Sequence, residues 1–206
     1  MQRVFELIII CFGIAILWLP MCITALIIWA TLGRPLMFRQ RRSGRNGEVF
    51  SILKFRTMND TRDASGTLLP DAERQTPVTK TLRRLRLDEL PQLFAVLSAK
   101  MALVGPRPLT PDTIESLGRR GVWRGRVRPG MTGWAQISGN THLTLDEKIA
   151  LDLWYVGNRS VWLDLYILMQ TIAVIVAGER LRSDRIDRAR AWIDRNKPSL
   201  SLEVTP

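Results

Sequence analysis

The sequence predicts a mainly α-helical protein with short strands, in which an apolar N-terminal membrane helix precedes a compact, basic domain. Three observations predict it. Residues 7–32 carry no charged side chain. The remainder holds almost all of the 30 Lys and Arg and 19 Asp and Glu residues, for a formal net charge of +11. Apolar residues beyond the first segment recur mostly at helical spacing, with Pro- and Gly-rich loops between them. A basic surface of this kind suits anionic partners: nucleic acid, anionic lipid headgroups or phosphorylated substrates.

The apolar run exceeds the ~20 residues that a helix needs to cross a bilayer. It is too long for a signal-peptide core, and no small-residue cleavage site follows it. Pro20 stands in its middle, removing one backbone hydrogen bond and predicting a break or kink at Leu19–Pro20. Arg34, Arg39, Arg41, Arg42 and Arg45 follow the run, which puts the main domain in the cytosol. A plain span leaves Arg3 outside, whereas a re-entrant helix-break-helix leaves both ends inside. The physics of the segment leaves these two open.

In the polar part, 49–58 reads as a short strand and 60–77 as a loop. Residues 80–87 (KTLRRLRL) read as a basic amphipathic helix, and 92–97 as another helix. A helix junction near Asp88–Pro91 follows from the proline. Residues 103–111 (LVGPRPLTP) form a rigid loop, 112–120 a helical segment and 126–134 a turn-rich loop. Residues 146–156 read as a helix. The apolar stretch 162–177 is expected to pack on the membrane or on the first helix. Residues 180–197 read as an exposed basic helix, and the last nine residues as disordered. The implied domains are 1–33, the membrane helix; 34–180, the cytosolic domain; and 181–206, the basic helix and tail.

Chemistry is narrowed by what is missing. The cysteines, Cys11 and Cys22, both lie in the apolar run, and His142 is the only histidine. A zinc site built from Cys and His outside the membrane run is excluded, and nothing near His142 resembles a nucleophile elbow. Catalysis must therefore use carboxylates, hydroxyls, Lys or Tyr. Asp88 and Glu89 are adjacent, so on a helix they point ~100° apart and cannot share one proton symmetrically. They suit unequal roles, one as nucleophile or metal ligand and the other as metal ligand or base. On the dipeptide alone the plainer reading is a helix cap with a solvated neighbour. Around them stand Lys54, Arg56, Arg83, Arg84 and Arg86. Arg107 is fixed between two prolines, so its fork loses little entropy on meeting phosphate oxygens. Arg124, Arg126, Arg128 and Trp134 could bind phosphate and stack a base, or form a packed loop.

Taken together, these segments resemble one family. Lys54-Phe55-Arg56-Thr57-Met58, Leu87-Asp88-Glu89-Leu90-Pro91-Gln92-Leu93, Leu103-Val104-Gly105-Pro106-Arg107-Pro108, the run from Val127 to Gln136, and Leu151–Val156 with Trp162-Leu163-Asp164 occur in family order. The chain resembles the bacterial sugar transferases, the monotopic polyprenyl-phosphate phosphoglycosyl transferases, over residues 1 to about 177. The resemblance implies transfer of a sugar 1-phosphate from a UDP-sugar to a polyprenyl phosphate, with release of UMP, as the first membrane step of glycan or polysaccharide assembly. It implies a ping-pong scheme with a covalent phosphosugar on Asp88, and Mg²⁺ at Asp88 and Glu89. Lys54, Arg56, Arg83, Arg107, Arg128, Gln136 and Asp164 become the expected phosphate- and substrate-binding residues. It decides the membrane question for a re-entrant helix broken at Leu19–Pro20, in the inner membrane with the catalytic domain on the cytosolic face. The implied partners are the UDP-sugar, the polyprenyl phosphate and bilayer lipid, and not nucleic acid; a homodimer is compatible with the sequence. Gly157 departs from the family, where Asp is usual. The competing reading is a membrane-tethered basic module that binds anionic lipid or nucleic acid without catalysis.

Overall fold

The computed structural model describes the backbone of residues 2–201 and the side chains of residues 10–196. Helix α1 (Gln2–Leu32) leads into a hairpin of β1 (Met37–Ser43) and β2 (Val49–Phe55). Then come α2 (Pro77–Arg84), a 3₁₀ turn at Leu87–Gln92, α3 (Leu93–Leu97), β3 (Ala102–Val104), α4 (Pro111–Ser116), α5 (Arg119–Arg124) and β4 (Gly130–Thr132). Three longer helices close the chain: α6 (Leu145–Asn158), α7 (Val161–Ala177) and α8 (Ser183–Ser201). The mainly helical expectation holds. The strand expected at 49–58 is β2, and its partner β1 lies in an arginine-rich stretch with no strand-like alternation.

Helix α1 is uninterrupted through Leu19 and Pro20. The expected break in helical structure is therefore absent from the backbone. The Thr24 hydroxyl donates to the Pro20 carbonyl at 2.8 Å. Both halves of α1 pack on the same domain. Ile10 and Ile14 meet Phe50, Ile52, Val96 and Met101. Met21, Ala25 and Ile28 meet Phe55, Leu82 and Leu87. Phe12, Ile16, Trp18, Leu19, Ile23, Leu26 and Trp29 point outward and are exposed. Ile10–Leu32 is long and apolar enough to cross a membrane.

β1 and β2 are antiparallel, with Met37 opposite Phe55 and Ser43 opposite Val49. β3 and β4 form a short parallel pair, Ala102 with Gly130 and Val104 with Thr132. This pairing brings two proline-rich loops into backbone contact. A Cβ on Gly130 would lie 2.1 Å from the Gly105 amide nitrogen, so only glycine permits the approach.

The main core gathers Val104, Trp134, Leu151, Tyr155, Ile167, Ile186 and Ala189. Two of these belong to α8, which corrects the expectation of an exposed basic helix. Arg185 is 4% exposed and lies 4.5 Å over the Trp134 ring. It donates to the Ile137 carbonyl at 3.1 Å and to the Tyr166 hydroxyl at 2.9 Å. Trp192 occupies the space beside Gly157, where a Cβ would approach the ring to 2.2 Å. α8 docks because its arginine finds an aromatic face and carbonyl acceptors, none of which are neighbours in sequence. The helix continues to Ser201, into the segment expected to be disordered; residues 202–206 lie outside the described residues.

Candidate active site

Asp88 and Glu89 sit just beyond the end of α2. Thr76 caps α2, accepting from the Thr79 amide. Arg86 then takes φ 59, ending the helix in the left-handed region, and the 3₁₀ turn starts at Leu87. This is why the basic helix expected over 80–87 stops at Arg84. The turn packs against β2 and α1 and holds Asp88 and Glu89 buried, each 8% exposed, in a cleft of about 670 Å³.

The two carboxylates have opposite surroundings. Glu89 accepts from Lys54 Nζ at 2.8 Å and from both terminal nitrogens of Arg107. Arg86 Nη1 lies 3.7 Å from its Oε2. Burial pushes the Glu89 carboxyl up, but Arg107 and Lys54 outweigh it and hold it at about 2. Asp88 moves the other way: burial, then the charge of Glu89, raises it above the ordinary carboxylate value. Its Oδ1 is buried with no hydrogen-bond partner among the described residues. Environments that drive neighbouring carboxyls apart assign them different tasks. Glu89 is a fixed anion that organises cations, and Asp88 is a carboxylate left untied. Burial also lowers the Lys54 ammonium, against the pull of Glu89.

Arg107 is positioned from behind. Arg124 donates to the Arg107 carbonyl, and its Nε contacts Asp152 Oδ2 at 2.8 Å. Arg124 and Asp152 are 4% and 2% exposed. Such a pair fixes geometry more than it adds stability.

Of the residues expected from the sequence, Lys54, Arg83, Asp88, Glu89, Arg107 and Gln136 line the cleft. Gln136 is 7% exposed, and neither amide atom has a partner among the described residues, so its hydrogen-bonding capacity is open to a ligand. Arg56, Arg128 and Asp164 do not line it. Arg56 donates to the Leu32 and Gly33 carbonyls, capping the C-terminus of α1. Arg128 donates to the Met101 carbonyl and lines a separate pocket with Lys100 and Arg45. Asp164 accepts from the Tyr155 hydroxyl at 2.6 Å, inside the α6–α7 packing. Trp134 cannot stack a base: it is 6% exposed, with Trp154 on one side at 4.9 Å. Trp154 and the buried Tyr155 belong to the core, whereas Trp162 is 81% exposed.

The cleft also contains residues that the sequence motifs did not single out. Glu179, just after α7, accepts from Asn140 Nδ2 at 2.5 Å, the Thr141 amide at 3.1 Å and Arg86 Nη2 at 3.0 Å. Its carboxyl is lowered: burial opposes the shift, but the bonds from Thr141 and Asn140 prevail. No local pattern marks Glu179; it reaches the cleft only because α7 folds back.

The donor set fits magnesium in a limited form. Among the described residues, no group of three or more His, Cys, Asp or Glu side chains is placed to hold a metal ion. Magnesium, however, takes one or two carboxylates and fills its remaining positions with water and substrate phosphates. The untied Asp88 oxygen, with Glu89 beside it, suits that mode.

A buried carboxylate pair in a cationic cleft, beside an apolar helix long enough to cross a membrane, is an arrangement suited to anionic ligands. The bacterial sugar transferase family matches residues 1–178, and the chain belongs to that family. It is 43% identical over 169 residues to the uncharacterized sugar transferase EpsL of Bacillus subtilis (strain 168), covering 79% of this chain and 84% of that protein. It is 39% identical over 166 residues to the UDP-N-acetylgalactosamine-undecaprenyl-phosphate N-acetylgalactosaminephosphotransferase of Aeromonas hydrophila, 77% of this chain and 39% of the other. It is 42% identical over 153 residues to the undecaprenyl-phosphate glucose phosphotransferase of Komagataeibacter xylinus, 67% of this chain and 29% of the other. The chain thus spans well under half the length of the latter two relatives.

Proposed function

We propose that this sugar transferase moves a sugar 1-phosphate from a UDP-sugar to a polyprenyl phosphate, with Asp88 as nucleophile. The observation that carries this reading is the Asp88 carboxylate: buried, untied at Oδ1, and placed among Lys54, Arg83 and Arg107 beside a Glu89 that is already neutralised. A structural carboxylate at this depth would be expected to have hydrogen-bond partners, as Glu89 has.

In the first step an Asp88 oxygen attacks the phosphorus that bears the sugar. The bond from that phosphorus to the bridging oxygen breaks, and UMP leaves with the electron pair. In the second step an oxygen of the lipid phosphate attacks the same phosphorus, forming the diphosphate bond and releasing the Asp88 carboxylate. Lys54 and Arg107 face the charge that grows on the diphosphate. The Gln136 amide supplies a donor and an acceptor to the donor substrate. Magnesium, held by Asp88 with Glu89 beside it, would offset charge on the diphosphate and improve UMP as a leaving group.

The membrane arrangement belongs to the same proposal. Ile10 and Ile28 are both fully buried against the same domain. A straight helix would separate them by about 27 Å at 1.5 Å per residue, close to the ~30 Å of bilayer hydrocarbon. A cytosolic domain cannot reach both if α1 crosses the bilayer. This supports a re-entrant α1, bent at Pro20 without loss of helical structure, with both ends on the cytosolic face of the inner membrane. Trp162, Met169, Ile172 and Val176 on α7 add an exposed apolar surface suited to the interface. A site at that level meets a polyprenyl phosphate without extracting it.

Asp88→Asn tests the reaction. With UDP-sugar and polyprenyl phosphate, UMP release by the detergent-solubilised protein should fall at least 10³-fold, of the order expected when a covalent nucleophile is removed. Release that stays within ten-fold of the parent protein would remove Asp88 from the chemistry.

A further inference from the structure

Arg86 stands apart from the other cations of the cleft in three ways. Its backbone has φ 59, a region where a side chain larger than glycine is strained. Such strain persists where the surrounding contacts hold it. Its guanidinium is bracketed by two carboxylates from distant parts of the chain: Nη2 lies 3.0 Å from Glu179 Oε1, and Nη1 lies 3.7 Å from Glu89 Oε2. It also lines the cleft within two residues of Asp88.

Glu179 holds more than Arg86. Its other oxygen accepts from the Thr141 amide and hydroxyl, at 3.1 and 2.5 Å. Glu179 therefore ties the strained start of the catalytic turn to the loop that carries Asn140 and Thr141. That loop is itself gripped from outside the family domain, by Arg185 on the Ile137 carbonyl and by Arg182 N on the Ser138 carbonyl.

We propose that Arg86 binds the donor diphosphate and that Glu179 is its positioning residue, holding the guanidinium away from Glu89 so that its fork stays open to phosphate. This rests on the phosphoglycosyl transfer reading. Arg86 Nη1 is at ion-pair distance from Glu89 but beyond hydrogen-bond distance. Without Glu179, Arg86 closes on Glu89 as a bidentate pair, and a phosphate must then compete with a carboxylate for the same fork.

The sign of the effect makes this testable. Removing a negative charge from a cationic cleft should by itself tighten anion binding. Positioning predicts the opposite. The probe is UDP, which carries the diphosphate without requiring the right sugar, titrated calorimetrically into the full-length protein in detergent. Arg86→Ala should raise the UDP Kd about ten-fold or more, the loss expected for one charge-assisted hydrogen bond. Arg86→Lys should recover only part of that loss, because an ammonium lacks the planar fork. Glu179→Gln should raise Kd several-fold in the parent protein and leave it unchanged in the Arg86→Ala background. Tighter UDP binding by Glu179→Gln, or an equal loss in both backgrounds, overturns the role of Glu179. An Arg86→Ala Kd within two-fold of the parent overturns the role of Arg86. The lysine and glutamine variants preserve size, and thermal unfolding of each variant checks that it is folded. Failure of the parent protein both to bind UDP and to release UMP from any UDP-sugar would instead sink the transferase reading itself.

Discussion

Removing the charge of Glu89 separates its proposed role as a structural anion from that of a solvated neighbour. Glu89 is 8% exposed, and its carboxyl lies at about 2 against an ordinary 4.5. At 1.36 kcal/mol per pKa unit, that depression corresponds to about 3 kcal/mol of preference for the charged form in the fold. Glu89→Gln keeps the shape and deletes the charge. It leaves Lys54 and Arg107 facing each other with no anion of their own, and breaking a buried pair from one side costs a similar ~3–5 kcal/mol. For a chain of this size each kcal/mol lowers Tm by roughly 2–4 °C, so a fall of about 6–12 °C at pH 7 is expected by thermal unfolding in detergent. The pH dependence has a definite sign. The folded carboxyl is depressed, so its contribution is fully present above pH 4.5 and is lost as pH falls from 4.5 toward 2. The stability gap between parent and variant should therefore close across that window. A Tm change below about 2 °C at pH 7, or a gap that is the same at pH 3 and pH 7, would refute the reasoning.

Two further outcomes follow from the same geometry. In the proposed reaction the attacking form of Asp88 is the carboxylate, and its carboxyl is raised by burial and by Glu89, so kcat should fall as pH drops through a value above the ordinary 3.8; an acid limb at or below 3.8 in a pH–rate profile would argue against Asp88 as the group that titrates. Gly157→Ala places a Cβ 2.2 Å from the Trp192 ring and should destabilise by about 1–3 kcal/mol, and the additional change Trp192→Ala should relieve the clash and much of that loss, as read by a double-mutant cycle in Tm.

The α8 helix shows where sequence reasoning ends. Its basic residues read as a solvated face, because Arg and Lys in a helical pattern usually are. Arg185 is instead buried against Trp134, and the partners that make this favourable, the Trp134 face, the Ile137 carbonyl and the Tyr166 hydroxyl, come from elements that converge only in the folded chain. Arg56, Arg128 and Asp164 illustrate the reverse. Each belongs to a motif with cleft residues, yet each spends its polar atoms on a helix end, a backbone carbonyl or a tyrosine outside the cleft. Motif membership records that a residue matters in a segment, not which way its side chain faces.

The sequence by itself narrowed the chemistry. An apolar run without charge can only be a membrane or core helix, a single histidine leaves carboxylates, hydroxyls, Lys and Tyr as the available groups, and arginine locked between prolines is suited to phosphate. These conclusions rest on side-chain chemistry, which does not depend on the fold; the ordered motifs that resemble the sugar transferases added the reaction class. Tertiary structure alone decided how the neighbouring carboxylates Asp88 and Glu89 differ. A carboxyl's proton affinity is set by burial and by charges within a few ångströms, and those charges, Lys54 and Arg107, lie far from Glu89 along the chain and meet it only through the packing of β2, the Leu87–Gln92 turn and the Pro106–Pro108 loop. The same folding back of α7 brought Glu179 into the cleft, where it brackets Arg86 and distinguishes that arginine from its neighbours on α2.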